Sequence, residues 1–189
     1  MKYFETEKRI VDLRNINFEG RILDIGGGGE GIISRHSGDS VVAIDKRPDE
    51  LAETPDIGLK IIMDACSLKF LDGYFDTITC FYTLMYMSLQ EIEQFFCEAY
   101  RVLKKGGRLW IWDTVIPAVS TADIFIAQLE VNISEHSKIT VGYGARWNRE
   151  HSCGVLEPLF EKAGFTVRNM DEGNDAFNLA LLKSGGNRP

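Results

Sequence analysis

The chain has 189 residues, 44% hydrophobic and 26% charged, enough apolar material for one domain with a buried core. Its formal net charge of −7 argues against broad nucleic-acid binding, which needs a basic face, and no run nears the ~18 apolar residues of a membrane-spanning helix. Four cysteines (Cys66, Cys80, Cys97, Cys153) and three histidines (His36, His136, His151) lack metal-ligand spacing, so no metal site is predicted.

In chain order, residues 1–20 hold a leading helix over Glu5–Asn15, with Ile10, Val11 and Leu13 set among charges. The opening Met1-Lys2-Tyr3-Phe4-Glu5 contains no signal-peptide core, which makes the cytoplasm the expected compartment. Strands are predicted at Arg21–Ile25, Ser40–Asp45, Lys60–Asp64 and Phe75–Cys80, the first three ending on or near an acid. Ser88–Lys105 is the strongest helix: Ser88 and Glu91 can form a capping box, Ile92, Phe95, Phe96, Ala99 and Leu103 make an apolar stripe, and Gly106-Gly107 stops it. The basic run Arg101, Lys104, Lys105 and Arg108 reads as a solvated helix end. A fifth strand, Arg108–Asp113, follows. Within 114–148, Phe125, Ala127, Leu129, Val131 and Ile133 alternate with mostly polar residues, as do Ile139, Val141, Tyr143 and Ala145. That pattern predicts an inserted β-hairpin, serving as a substrate lid or a dimer contact. Arg149–Ala163 is the last helix, and Phe165–Asp171 with Ala176–Lys183 form a terminal strand pair. The alternation of strands and helices implies a single α/β domain over 1–189, doubly wound around a mostly parallel sheet.

Four glycines, Gly26–Gly29, stand directly after the first strand. Such a run is costly in chain entropy unless the backbone needs unusual angles or a close approach to a ligand. A helix start beyond it suits the polar part of a nucleotide-like molecule. Gly26, Gly28 and Gly31 fit GxGxxG literally, and Asp45 lies where a dinucleotide fold places its ribose-binding acid, so an NAD-dependent oxidoreductase is one reading. Asp24 speaks against it. A carboxylate about 5 Å from a pyrophosphate costs on the order of 1–3 kcal/mol in a partly screened site, whereas an ammonium or sulfonium would be attracted. S-adenosylmethionine carries both cations and no phosphate.

Five segments then fall in register with one family. Ile22-Leu23-Asp24-Ile25-Gly26-Gly27-Gly28-Gly29-Glu30, Asp45, Asp64-Ala65, Ser67–Asp76 and Leu103-Lys104-Lys105-Gly106-Gly107-Arg108-Leu109 together resemble the class I S-adenosylmethionine-dependent methyltransferases of small-molecule type. The resemblance implies a Rossmann-like seven-stranded sheet with one antiparallel strand, plus the inserted hairpin. It implies S-adenosylmethionine as cofactor and methyl transfer to an acceptor; the compact, acidic chain favours a small molecule, with protein or RNA acceptors and a homodimer left open. Asp24 would hold the amino group of the methionine portion, which would lie on Gly26, Gly27 and Gly28. Asp45, with neighbouring Lys46, would address the ribose, and Asp64 with Ala65 the adenine. Cys80, Phe81 and Tyr82 would flank the cofactor. Glu30 stands where the family has its third glycine and reaches either the cofactor or the acceptor. Lys69 and Lys105 replace the usual prolines.

Methyl transfer from a sulfonium relies on alignment, and a base matters only if the acceptor must lose a proton. Tyr82, Tyr86, Asp113 and His151 are the polar candidates for that role. The acceptor pocket is expected among Tyr3-Phe4, the loop Thr83–Met87, Trp112, and Tyr143 and Trp147 of the hairpin. A non-catalytic S-adenosylmethionine-binding module is the other alternative.

Overall fold

A computed structural model describes residues 1–118, 122–146 and 149–184. Its strands in chain order are β1 (Tyr3–Glu5), β2 (Arg9–Asp12), β3 (Ile22–Ile25), β4 (Val41–Asp45), β5 (Leu59–Ile62) and β6 (Phe75–Phe81). They continue as β7 (Leu103–Thr114), β8 (Ile124–Ser134), β9 (Ser137–Arg146), β10 (Phe165–Glu172) and β11 (Ala176–Lys183). The helices are α1 (Ile32–Ser37), α2 (Pro48–Glu53), α3 (Leu89–Val102) and α4 (Cys153–Ala163).

Seven strands form the main sheet, in the order β10-β11-β7-β6-β3-β4-β5. The block from β7 to β5 is parallel throughout, and β11 runs antiparallel to both of its neighbours. Strand order reverses between β3 and β6. The chain steps outward from β3 to β4 and β5, then returns to the other side of β3. That reversal opens a crevice at the strands' carboxyl ends.

Alternate residues of each strand feed two separate cores. Leu23, Ile25, Ile78, Cys80, Leu109 and Ile111 face α3 and α4, against Phe95, Phe96, Leu156 and Phe160. Ile22, Val41, Ala43, Phe81 and Trp112 face the other way, against Ile32 and Ile33 of α1. There a second sheet joins them: β8 and β9 pair as the predicted hairpin, and Phe125, Ala127, Leu129, Val131 and Ile133 of β8 enter this core. A β-ribbon therefore covers much of a face that a doubly wound fold gives to helices.

The leading helix is not formed. Residues 3–5 and 9–12 are strands that pair, parallel, with successive halves of β8. The free edge of β8 offers a full set of backbone partners, and Val11 and Leu13 become buried on its inner side. Tertiary pairing outweighs the mixed helical periodicity of this segment. At the other predicted helices only the ends move. α3 stops at Val102, because Leu103–Gly107 already belong to β7, and α4 starts at Cys153, because His151 bridges to Ile116.

The capping box is present. Ser88 Oγ accepts the Glu91 backbone N–H at 3.2 Å, and Glu91 Oε2 accepts the Ser88 N–H at 2.7 Å. Replacing Ser88 with Ala should cost about 1 kcal/mol of stability. Urea unfolding of the two proteins checks this, with equal midpoints as the contrary outcome.

Candidate functional site

A cavity of about 460 Å³ opens at the carboxyl ends of β3, β4, β5 and β6, within the ~300–1,000 Å³ typical of small-molecule sites. The glycine loop forms its floor. Gly26 has φ +67°, and a Cβ there would sit 2.4 Å from Thr83 Oγ1; one on Gly28 would meet Glu50 Cβ at 2.5 Å and Asp45 Oδ2 at 2.9 Å. Only glycine lets the loop lie this low between β6's exit turn and α2. Backbone bonds fix it there, from Gly27 N–H to Ile44 O and from Gly29 N–H to Glu50 O.

On the β4–β5 side stand Asp45, Lys46, Arg47, Glu50, Met63, Asp64 and Ala65. Asp45 Oδ1 accepts the Arg47 N–H and Asp64 Oδ1 the Cys66 N–H, both at 2.8 Å. The two cations of this wall are already paired, Lys46 with Glu91 at 3.6 Å and Arg47 with Glu50 at 2.7 Å. With those pairs neutral, Glu30, Asp45 and Asp64 set the field, which suits a cation better than a pyrophosphate.

On the β6 side the lining changes to Phe81, Tyr82, Thr83, Tyr86 and Met87, roofed by Gly142, Tyr143 and Gly144 of β9. Tyr82 is nearly fully buried with φ +49°, a left-handed backbone that costs a non-glycine residue of order 1 kcal/mol. Its N–H donates to Trp112 O at 2.7 Å, and its ring stacks on Tyr143 at 5.4 Å. The Tyr143 hydroxyl donates to Glu30 Oε2 at 3.1 Å, tying the roof to the glycine loop.

Of the residues singled out from sequence, Gly26, Gly28, Glu30, Asp45, Lys46, Asp64, Ala65, Phe81, Tyr82, Tyr86 and Tyr143 converge on this cavity. Asp24, Gly27 and Cys80 do not line it. Cys80 belongs to the α3 core, where burial pushes its thiol well up. Asp24 is buried beneath the loop, accepting the Thr79 hydroxyl at 2.7 Å. Asp113 and His151, expected at open strand ends, are fully buried behind the cavity and cannot serve as bases within it. They form a brace instead. Asp113 Oδ2 accepts the Met85 N–H at 3.2 Å and stands 3.4 Å from His151 Nε2, while Arg149 reaches His151 Nδ1, Leu84 O and Met87 O. This network holds the 83–87 turn that carries Tyr86. Tyr3 and Phe4 are exposed on β1 and do not line the cavity, Trp112 is buried beside Trp110, and Trp147 lies outside the described residues. Thr83 and Met87 of the expected 83–87 loop also line the cavity, whereas sequence reading missed Arg47 and Glu50; only the position of Glu50 just beyond the second strand and its acid hinted at a role.

Burial raises the Asp24 carboxyl from 3.8 to about 7; the Thr79 hydrogen bond opposes this and the charge of Asp45 adds to it. The folded chain therefore holds this proton more tightly than the unfolded chain. The resulting stability is full below about pH 4 and is lost as pH rises through about 7. Asp24→Asn should remove that component, giving a flatter stability profile between pH 4 and 7 in stepped-pH urea unfolding. Parallel profiles would mean that Asp24 stays ionised in the folded protein.

Comparison with known proteins bears on the same residues. Residues 23–111 match the family model described as a methyltransferase domain. No curated protein matches the chain. Among solved structures, an S-adenosylmethionine-dependent methyltransferase from Methanosarcina mazei is 21% identical with a TM-score of 0.63, over 89% of this chain and 94% of that one. An S-adenosylmethionine-dependent methyltransferase from Mesorhizobium loti is 15% identical at TM-score 0.62, over 86% and 90%. The cyclase SpnF is 17% identical at TM-score 0.65, over 92% and 78%. At these identities the likeness is one of fold. The matched segment carries the glycine loop, Asp45, Asp64 and Tyr82, and over it the chain is similar to the class I S-adenosylmethionine-dependent methyltransferases.

Proposed function

We propose that this enzyme methylates a small-molecule acceptor inside the cavity at the carboxyl ends of β3–β6. The observation that carries this reading is the roof: β9 lays Gly142–Gly144 over the glycine loop and leaves about 460 Å³ beneath it. A space of that size suits the cofactor and a compact acceptor, whereas a folded macromolecule needs an open face.

The lining fits the cofactor. Asp45 would accept from ribose hydroxyls, and Asp64 with Ala65 would receive the adenine edge, with Lys46 alongside. Gly26 and Gly28 let the methionine portion rest on backbone, and Gly27 beneath them keeps the loop against β4. Asp24 acts from below, in the role of support and not of direct contact, and Cys80 belongs to the packing that seats Phe81 and Tyr82. When bound, S-adenosylmethionine supplies an electrophilic methyl carbon carried on a sulfonium. The protein's part is to align an acceptor with it and keep water out. The hairpin serves this as a lid, since its inner face packs on the domain and its Tyr143 enters the cavity. No helix among the described residues is long and apolar enough to cross a membrane, and all four cysteines are free thiols, which suits a reducing cytoplasm.

Calorimetric titration with S-adenosylhomocysteine and with NAD tests the cofactor assignment: the first should bind and the second should give no heat. The reverse result would return the oxidoreductase reading. Asp45→Asn should weaken S-adenosylhomocysteine roughly 10–100-fold, the loss expected for charged hydrogen bonds to a ligand. An unchanged affinity would remove Asp45 from the ribose site.

A further inference from the structure

The β6 side of the cavity holds a carboxylate without a cation. Glu30 is half-buried, and among the described residues its carboxylate forms no ion pair; its side chain accepts one hydrogen bond, from the Tyr143 hydroxyl, while Arg35 Nε donates to its backbone carbonyl at 2.7 Å and not to the carboxylate. Three aromatic residues crowd the same corner. Tyr82 and Tyr143 stack with ring planes 20° apart, and Phe81 meets Tyr143 edge-on at 6.4 Å. Tyr86 stands at the mouth, 52% exposed, in a turn braced from behind by Asp113, His151 and Arg149.

Burial, with the charges of Glu30 and Asp113 nearby, holds the hydroxyls of Tyr82 and Tyr143 well above the usual phenol range. The rings therefore stay neutral at ordinary pH, and Tyr143 remains a donor to Glu30. An uncompensated carboxylate framed by electron-rich ring faces is the complement of an organic cation.

The topology separates this corner from the nucleoside wall. Asp45 and Asp64 follow β4 and β5, on one side of β3, whereas Tyr82 and Tyr86 follow β6, on the other. A methyl donor whose nucleoside lies toward β5 leaves the β6 side for the acceptor. We propose that Glu30, with Tyr82, Tyr86 and Tyr143, is the acceptor subsite, and that the acceptor is a small amine held through its protonated nitrogen. This inference rests on the small-acceptor reading above. To become a nucleophile the ammonium gives one proton to a Glu30 oxygen: an N–H bond breaks, an O–H bond forms, and the nitrogen lone pair is freed. The proton then passes to water at the mouth beside Tyr86.

The test is a binding comparison on the S-adenosylhomocysteine-loaded protein, with n-butylammonium and its neutral counterpart n-butanol as probes, read by ligand-observed NMR. The wild type should prefer the ammonium at least about tenfold, and Glu30→Gln should bring the two probes within about twofold, because only the charge is removed. The affinity of Glu30→Gln for S-adenosylhomocysteine should stay within about threefold of wild type. Should Glu30→Gln melt early, Glu30→Asp keeps the charge and should retain the ammonium preference. Equal binding of both probes to the wild type overturns the proposal. So does a tenfold loss of S-adenosylhomocysteine affinity in Glu30→Gln, which would assign Glu30 to the cofactor, and so does an ammonium preference that survives the substitution. If S-adenosylhomocysteine fails to bind the wild type at all, the small-acceptor reading itself falls, a result separable from the others.

Discussion

The glycine loop lies in a slot with no room for a side chain, between the Thr83 turn above β6 and the first turn of α2. At Gly26 and Gly28 even a methyl group would collide with Thr83, Glu50 or Asp45. The slot fixes more than the loop. Because Gly29 bonds to Glu50 and Gly27 to Ile44, the floor of the cavity moves with β4 and α2 as one piece. Because Thr83 accepts that contact from the other side, the strand that brings Tyr82 is held at the same distance. A nucleotide-like ligand then finds its acidic wall and its aromatic wall set by a single close packing of backbone.

Buried polar groups hold the two walls from behind. Asp24 sits on the β3 surface that faces the second sheet, with the Thr79 hydroxyl as its partner. Asp113, His151 and Arg149 do the corresponding work under the 83–87 turn, capturing the Met85 amide and the carbonyls of Leu84 and Met87, the first of which also accepts the Met87 N–H. Arg149 donating to His151 Nδ1 requires that nitrogen to be an acceptor, which puts the imidazole proton on Nε2, toward Asp113. Nε2 stands 3.4 Å from Asp113 Oδ2 without a hydrogen bond among the described residues, so the two are held side by side by the groups around them.

Much of this could be read from sequence because it rests on short-range signals. The parallel strands showed as apolar runs ending near acids, α3 as a capped stripe, and the hairpin as two alternating runs; all appear close to the expected limits. The acids Asp45 and Asp64 were legible because strand ends on one edge of a parallel sheet must meet. What failed depended on partners far away in the chain. Residues 3–12 became strands only because β8, more than a hundred residues later, had an open edge. Asp113 and His151 carry the right side chains for acid–base work, but nothing local reports that the chain between them turns inward and buries both. Asp24 was expected to hold the methionine amino group, yet it lies within β3 outside the cavity lining, in a layer decided by which face of β3 the second sheet covers.

That second sheet also explains residue 30. In a helix-covered version of this face, the loop after β3 would be free to carry a glycine at that point. Here β9 passes overhead and Tyr143 points down between Tyr82 and the loop, so a hydroxyl enters a mostly apolar corner and needs an acceptor. Glu30 supplies it. A glutamine would satisfy the hydroxyl equally well, so hydrogen bonding alone does not account for a carboxylate here, half-buried and in no ion pair among the described residues. Either the charge is a standing cost to folding, or it is balanced when a cationic ligand arrives. With the aromatic rings arranged around it, the second alternative uses every group in the corner, and the departure from the family's glycine becomes the residue that selects what is methylated.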